Sequence, residues 1–175
     1  WPFCKEYTVG GLTFIAYTKD GDFSRLSTSV YQKIITLNTS DMKIKIIGGN
    51  DTLSVKLNGN AVEMETNIKL ASMFNYADNS KITGSEYEDF IYNYADNTQV
   101  SGKGGDDSLV NEGTSSTIDG GAGTDRVYNR ASADGSTIIN DGNDKIYNDN
   151  SSSTSRLYQD NMSNQEYNMA INEAF

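Results

Sequence analysis

Residues 75–92 read NYADNSKITGSEYEDFIY, residues 93–110 read NYADNTQVSGKGGDDSLV, and residues 111–128 read NEGTSSTIDGGAGTDRVY. Asn75, Asn93, Asn111, Asn129 and Asn148 open successive units at spacings of 18, 18, 18 and 19. An aliphatic residue follows seven positions on (Ile82, Val100, Ile118), then an aspartate after seven more (Asp89, Asp107, Asp125), then an apolar residue two beyond (Ile91, Leu109, Val127). The fourth unit keeps Asp144 and Ile146 but gains two residues before Ile138 and loses one after it. A fixed period near 20 residues, with no helical spacing inside it, predicts an all-β, parallel β-solenoid with about 18 residues per rung.

The second half of each unit is the more specific. Residues 120–128, GGAGTDRVY, fit the nonapeptide G-G-x-G-x-D-x-U-x at every defined position. Residues 102–110 (GKGGDDSLV) miss only the second glycine, while 84–92 (GSEYEDFIY) and 139–147 (INDGNDKIY) keep part of the pattern. On these residues, about 75 of the 175, the chain resembles the RTX, or haemolysin-type, calcium-binding repeat family, whose fold is the β-roll. Glycine tolerates φ > 0 and lets the backbone curl, and an aspartate closing the turn adds a hard anionic oxygen of the kind Ca²⁺ prefers. The resemblance implies Ca²⁺ as cofactor, held between a turn and its copy one rung on. The implied ligands are Asp89, Asp107, Asp125 and Asp144, with the backbone of Gly102, Gly104, Gly105, Gly120, Gly121, Gly123 and Gly142. The interface between turns 102–107 and 120–125 is the best-formed candidate. Tyr87 stands where the motif wants a left-handed glycine, which weakens the first turn.

The other half of each unit departs from the family. Residues 75–79 and 93–97 (both NYADN), 111–115 (NEGTS) and 129–133 (NRASA) lack paired glycines. Calcium is therefore expected along one edge only, with stacked asparagine, serine and threonine side chains along the other.

Charge follows the same division. Residues 75–150 hold 14 acidic and 5 basic side chains, whereas residues 1–74 hold 7 and 8. The acid thus gathers in the repeats, where like charges repel unless a cation intervenes. That balance argues against nucleic acid, which needs a basic face. One cysteine and no histidine exclude an internal disulfide and the usual Cys/His zinc site. No apolar run reaches the 18 residues of a membrane-spanning helix. The Trp1-Pro2 start reads as a processed product or an excised fragment, and calcium sites of this kind point to an extracellular or cell-surface location.

Residues 1–70 read as a β-rich N-terminal cap or a set of degenerate first rungs, 71–150 as the β-roll, and 151–175 as a C-terminal cap. Gly10-Gly11 signals a hairpin within residues 6–18, and Lys19–Asp22 a turn. Residues 30–37 and 42–47 are expected as strands. Residues 48–53 (GGNDTL) read equally as a short repeat turn or as a hairpin loop, and Asn58-Gly59-Asn60 as another turn. Period-18 bookkeeping aligns Met64 and Ile46 with Ile82. Residues 150–155 are expected as a polar loop, and Ser163 with Glu166 as the capping box of a short C-terminal helix carrying Tyr167, Ala170, Ile171 and Ala174 on one face.

Tyr92, Val110, Tyr128 and Tyr147 form an outward column, beside a second pair, Tyr76 and Tyr94. Such a column reads either as cross-strand stacking or as a contact surface for a sugar or a neighbouring subunit. With no histidine and no nucleophile set beside a base, no enzymatic activity is expected. The favoured function is a calcium-stabilised structural or adhesive module that assembles with copies of itself or with neighbouring repeat modules. The alternative is a carbohydrate-binding accessory module of a secreted polysaccharide-modifying enzyme, with a polysaccharide as partner.

Overall fold

The computed structural model describes residues 1–49, 54–69 and 72–157, and among these there is no helix. Two antiparallel hairpins open the chain: β1 (Phe3–Val9) with β2 (Leu12–Thr18), then β3 (Ser27–Tyr31) with β4 (Ile34–Ser40). The chain then alternates between two sheets through β5 (Lys43–Gly48), β6 (Ser54–Asn60), β7 (Glu63–Thr66), β8 (Ser72–Asn75), β9 (Lys81–Thr83) and β10 (Phe90–Asn93). It continues through β11 (Gln99–Ser101), β12 (Ser108–Asn111), β13 (Thr117–Asp119), β14 (Arg126–Asn129), β15 (Thr137–Asn140), β16 (Lys145–Asn148) and β17 (Thr154–Leu157). One sheet has nine strands in the order β1-β2-β5-β7-β9-β11-β13-β15-β17, the other eight in the order β16-β14-β12-β10-β8-β6-β4-β3. From β4 and β5 onward the pairings within each sheet are parallel, which makes a β-solenoid of about six turns.

Two columns of aliphatic side chains face each other between the sheets. Ile44, Met64, Ile82, Val100, Ile118 and Ile138 come from one sheet, and Ile35, Val55, Met73, Ile91, Leu109, Val127 and Ile146 from the other; all are buried. Strict alternation in each short strand puts one side chain in and the next out. Each rung therefore contributes one residue per sheet, or two in the longer strands of the first rungs, to a continuous core, worth about 1.5–3 kcal/mol per buried side chain. No rung could bury its own face alone, so the stack is the folding unit.

Several local expectations shift. The stretch 30–37 is not one strand: Gln32 (φ 47°) and Lys33 (φ 64°) make a two-residue turn between β3 and β4 without glycine. The expected Gly10-Gly11 hairpin is present, with φ of 56° and 84°. Around residues 48–53 the hairpin alternative fails, because β5 and β6 lie in opposite sheets; residues 50–53 themselves lie outside the described residues. Asn58-Gly59-Asn60 ends β6 rather than forming a turn, and Ala61 (φ 54°) takes the left-handed position instead. Met64 does align with Ile82, but its partner in β5 is Ile44 and not Ile46, since the first rungs are 20 residues long. Of the expected loop 150–155, the end joins β17, which pairs with β15. The expected C-terminal helix lies outside the described residues.

Candidate metal edge

The two edges of the solenoid are built from different chemistry. On one, residues 84–89, 102–107, 120–125 and 141–144 link β9 to β10, β11 to β12, β13 to β14 and β15 to β16. The second and third of these turns share a backbone pattern. Lys103 (φ 76°) and Gly105 (φ 96°) match Gly121 (φ 89°) and Gly123 (φ 127°) as left-handed residues. Rungs approach so closely here that a Cβ on Gly121 would collide with the Lys103 carbonyl, and one on Gly123 with the Gly105 carbonyl. Gly104 bridges to Ala122, and Gly142 (φ 97°) keeps the left-handed position in the fourth turn. The first turn differs: Ser85 and Tyr87 are not left-handed, and the Ser85 hydroxyl accepts the Tyr87 N–H (3.1 Å) instead.

The aspartates form a ladder. The Asp89 N–H donates to Asp107 Oδ1 (2.7 Å), Asp107 N–H to Asp125 Oδ1 (2.8 Å), and Asp125 N–H to Asp144 Oδ1 (3.1 Å). Asp107 and Asp125 are 1% and 0% exposed, and the second oxygen of each, Oδ2, is buried without a hydrogen-bond partner. Asp107 Oδ2 and the Gly120 carbonyl oxygen crowd the same point above the Cα of Gly102, which a Cβ would fill; Asp125 Oδ2 takes the equivalent place above Gly120. Burial, reinforced by the Asp89, Asp125 and Asp106 carboxyls and opposed by the Asp89 N–H, pushes Asp107 up to about 8. Burial, helped by Asp141 and Asp125, pushes Asp144 up to about 7, and burial also raises Asp125.

A buried acceptor facing a second acceptor is unfavourable unless a proton or a cation lies between them. Hard oxygens of this kind suit Ca²⁺. The fit is to the pair of turns 102–107 and 120–125. At the first turn both oxygens of Asp89 already accept from Ser85, Oδ2 from its N–H (2.6 Å) and Oδ1 from its hydroxyl (3.0 Å). No three acidic, histidine or cysteine side chains converge anywhere among the described residues, so a cation here would rely on two carboxylates and backbone carbonyls.

The opposite edge carries no buried carboxylate ladder among the described residues. A buried asparagine ladder runs along it: Asn75 Nδ2 donates to Asn93 Oδ1 (2.8 Å), and the pattern repeats at 2.9 Å through Asn111 and Asn129 to Asn148. The same interior column holds Leu37 and Leu57 in the earlier rungs, so the asparagines begin where the leucines stop. Beside it runs a hydroxyl ladder, in keeping with the stacked serine and threonine side chains expected along this edge, although the sequence alone did not name its members. Val62 N–H donates to Ser80 Oγ (3.0 Å), Thr98 N–H to Ser116 Oγ (3.2 Å), Ser116 N–H to Ser136 Oγ (3.2 Å) and Ser136 N–H to Ser153 Oγ (3.3 Å). A Ser or Thr five positions after the first three asparagines of the period was the available signal.

The aromatic columns are stacked on themselves. Tyr94 lies between Tyr76 (4.5 Å, 7°) and Tyr92 (4.4 Å, 20°), and Tyr128 stacks on Tyr147 (4.8 Å, 8°). The Lys56 ammonium covers Tyr76 at 5.0 Å. Their ring faces are thus largely spent on one another.

No family model matches the chain, and no curated protein or solved structure matches it either.

Proposed function

We propose that this chain is a non-enzymatic, extracellular structural or adhesive module, an RTX-like β-roll whose glycine–aspartate edge takes calcium. The observation that carries this reading is the pair of buried, partnerless oxygens, Asp107 Oδ2 and Asp125 Oδ2, in register on adjacent rungs. Asp107 and Asp125, with the backbone of Gly102 and Gly120, would hold the ion. Calcium would supply the positive charge that this stack of carboxyls lacks. The concentration of acid in the repeats and the absence of histidine from the chain support the same reading. A continuous solenoid with a regular outer surface suits a spacer or an adhesive face.

Thermal melting in calcium and in chelator tests it. Binding to the folded state alone stabilises by RT ln(1 + [L]/Kd), about 2.7 kcal/mol at a hundredfold excess over Kd. The melting temperature is expected to rise with calcium, and Asp107→Asn and Asp125→Asn are expected to abolish the rise. A melting temperature indifferent to both additions, with no metal bound at equilibrium, overturns the proposal.

A further inference from the structure

A straight groove runs parallel to the solenoid axis on the side away from the aspartate ladder. It is a cavity of about 490 Å³, within the usual range for small-ligand sites. Its floor is built by the fold's own repetition. Asp41 (φ 53°), Ala61 (φ 54°), Asn79 (φ 56°) and Asn97 (φ 53°) occupy one left-handed position on four successive rungs. Two residues further along each strand, Glu63, Lys81 and Gln99 form a second column, in register across β7, β9 and β11. Ala61 is the small member of the first column and deepens the groove in its middle. Trp1 walls one end, 37% exposed, with the Lys19 ammonium 4.8 Å from its ring centroid. The groove crosses four rung spacings from Lys19 to Asn97, roughly 19 Å at the ordinary strand separation.

We infer that this groove binds a neutral, extended polysaccharide strand. Three observations converge on that class. First, the amides are set in a row and fixed: Asn79 Nδ2 donates to Asn60 Oδ1 (2.8 Å), and Asn97 Nδ2 to Asn79 Oδ1 (2.7 Å). Each amide group offers more donors and acceptors than this ladder uses, so the ladder orients the amides without exhausting them. Pre-oriented amides repeated at rung spacing match a polymer of hydroxylated rings that advances by a similar step. Second, the side chains of Asp41 and Glu63 balance those of Lys19 and Lys81, so the groove carries no net side-chain charge where the repeat region as a whole is strongly acidic. That balance disfavours a polyanion. Third, Trp1 makes no ring–ring contact among the described residues, in contrast with the tyrosine columns. An indole beside a polar groove suits the apolar face of a pyranose ring.

This inference is independent of the calcium reading, since none of its residues belongs to the glycine–aspartate turns. Trp1 is the chain's single tryptophan, so its fluorescence reports on the groove directly. The probes are cellohexaose, xylohexaose and mannohexaose, with hexagalacturonate as the anionic comparison, in calcium and again in chelator. A saturable change in emission with at least one neutral hexasaccharide, confirmed by calorimetry, is the expected result. Lys81→Ala and Gln99→Ala, both exposed at the starts of short strands, are expected to weaken it about tenfold or more without moving the melting temperature. Trp1→Ala, followed by calorimetry, is expected to do the same. Arg126→Ala, on the other edge, is expected to leave binding unchanged. The inference is overturned if no neutral hexasaccharide binds at millimolar concentration, if hexagalacturonate binds best, or if the groove substitutions leave affinity intact. Loss of calcium stabilisation with retained sugar binding would overturn the calcium reading alone.

Discussion

At the scale of single residues, the buried carboxyls of Asp107 and Asp144 set the chain's response to pH. Burial raises them to about 8 and about 7, above the ordinary carboxylate value. Folded chains therefore hold protons that unfolded chains release, and without metal the folded state loses stability as pH rises. That contribution is complete below about pH 4 and is lost progressively as pH climbs through 7 to about 8. Melting in chelator across this interval is expected to show a falling midpoint; a rising one would mean that the carboxyls are not buried uncompensated. Calcium, which needs the ionised form, is expected to reverse the slope toward neutral pH. Asp107→Asn separates the two cases. The amide keeps the acceptor for the Asp89 N–H, is neutral without having to take up a proton on folding, and places a donor beside the Gly120 carbonyl. In chelator at neutral pH it is expected to raise the melting temperature by about 2–4 °C, the equivalent of about 1 kcal/mol in a chain of this size.

At the scale of elements, short strands of three or four residues are held less by their own length than by what stacks at their ends. The asparagine ladder is one such device. Each buried hydrogen bond contributes about 0.5–1.5 kcal/mol net, but an orphaned partner costs about 1–3 kcal/mol. Asn111 bridges to Asn129 and accepts from Asn93, and it also serves the Gly113 backbone. Asn111→Ala is therefore expected to cost about 2–4 kcal/mol in chemical denaturation, more than removal of one hydrogen bond. Equal stability of the variant would show the ladder to be incidental. In the turns, Gly123 combines φ 127° with close approach of the Gly105 carbonyl, so any side chain there meets both backbone strain and a clash. Gly123→Ala is expected to be clearly destabilising, whereas Ser115→Gly, at a left-handed exposed position (φ 52°), is expected to be neutral or mildly stabilising.

At the scale of the molecule, a solenoid exposes two ends. The edge strands β1 and β3 lie at one of them, and Phe3, Val30 and Tyr31 (73% exposed) are exposed on the hairpins there. An open edge with exposed apolar side chains offers itself for strand addition. Lys5 and Glu6 on β1 temper that tendency. The proposed assembly role predicts concentration-dependent light scattering by the 175-residue chain, stronger in calcium as the acidic flank is neutralised. Val30→Lys with Tyr31→Ser is expected to suppress it. A strict monomer with and without calcium would leave the module acting alone.

The period of Asn, aliphatic and Asp residues determined the parallel solenoid, its register from Ile82 onward and the division into two chemically distinct edges. Those features are local and repeated, so each copy reinforces the reading of the next. The first rungs were less legible because their period widens to 20 and leucine replaces asparagine at the corner. The Gln32-Lys33 turn was hidden because its left-handed residues carry no glycine. Only the tertiary structure decided how the aspartates stand. A motif places a carboxyl in a turn, but stacking decides that one oxygen of Asp107 and Asp125 meets an N–H of the preceding rung while the other is left buried and unmatched. Only the tertiary structure, likewise, brought Trp1 into one groove with Asn79 and Asn97, nearly a hundred positions away in sequence, because a solenoid aligns residues by rung and not by nearness in the chain.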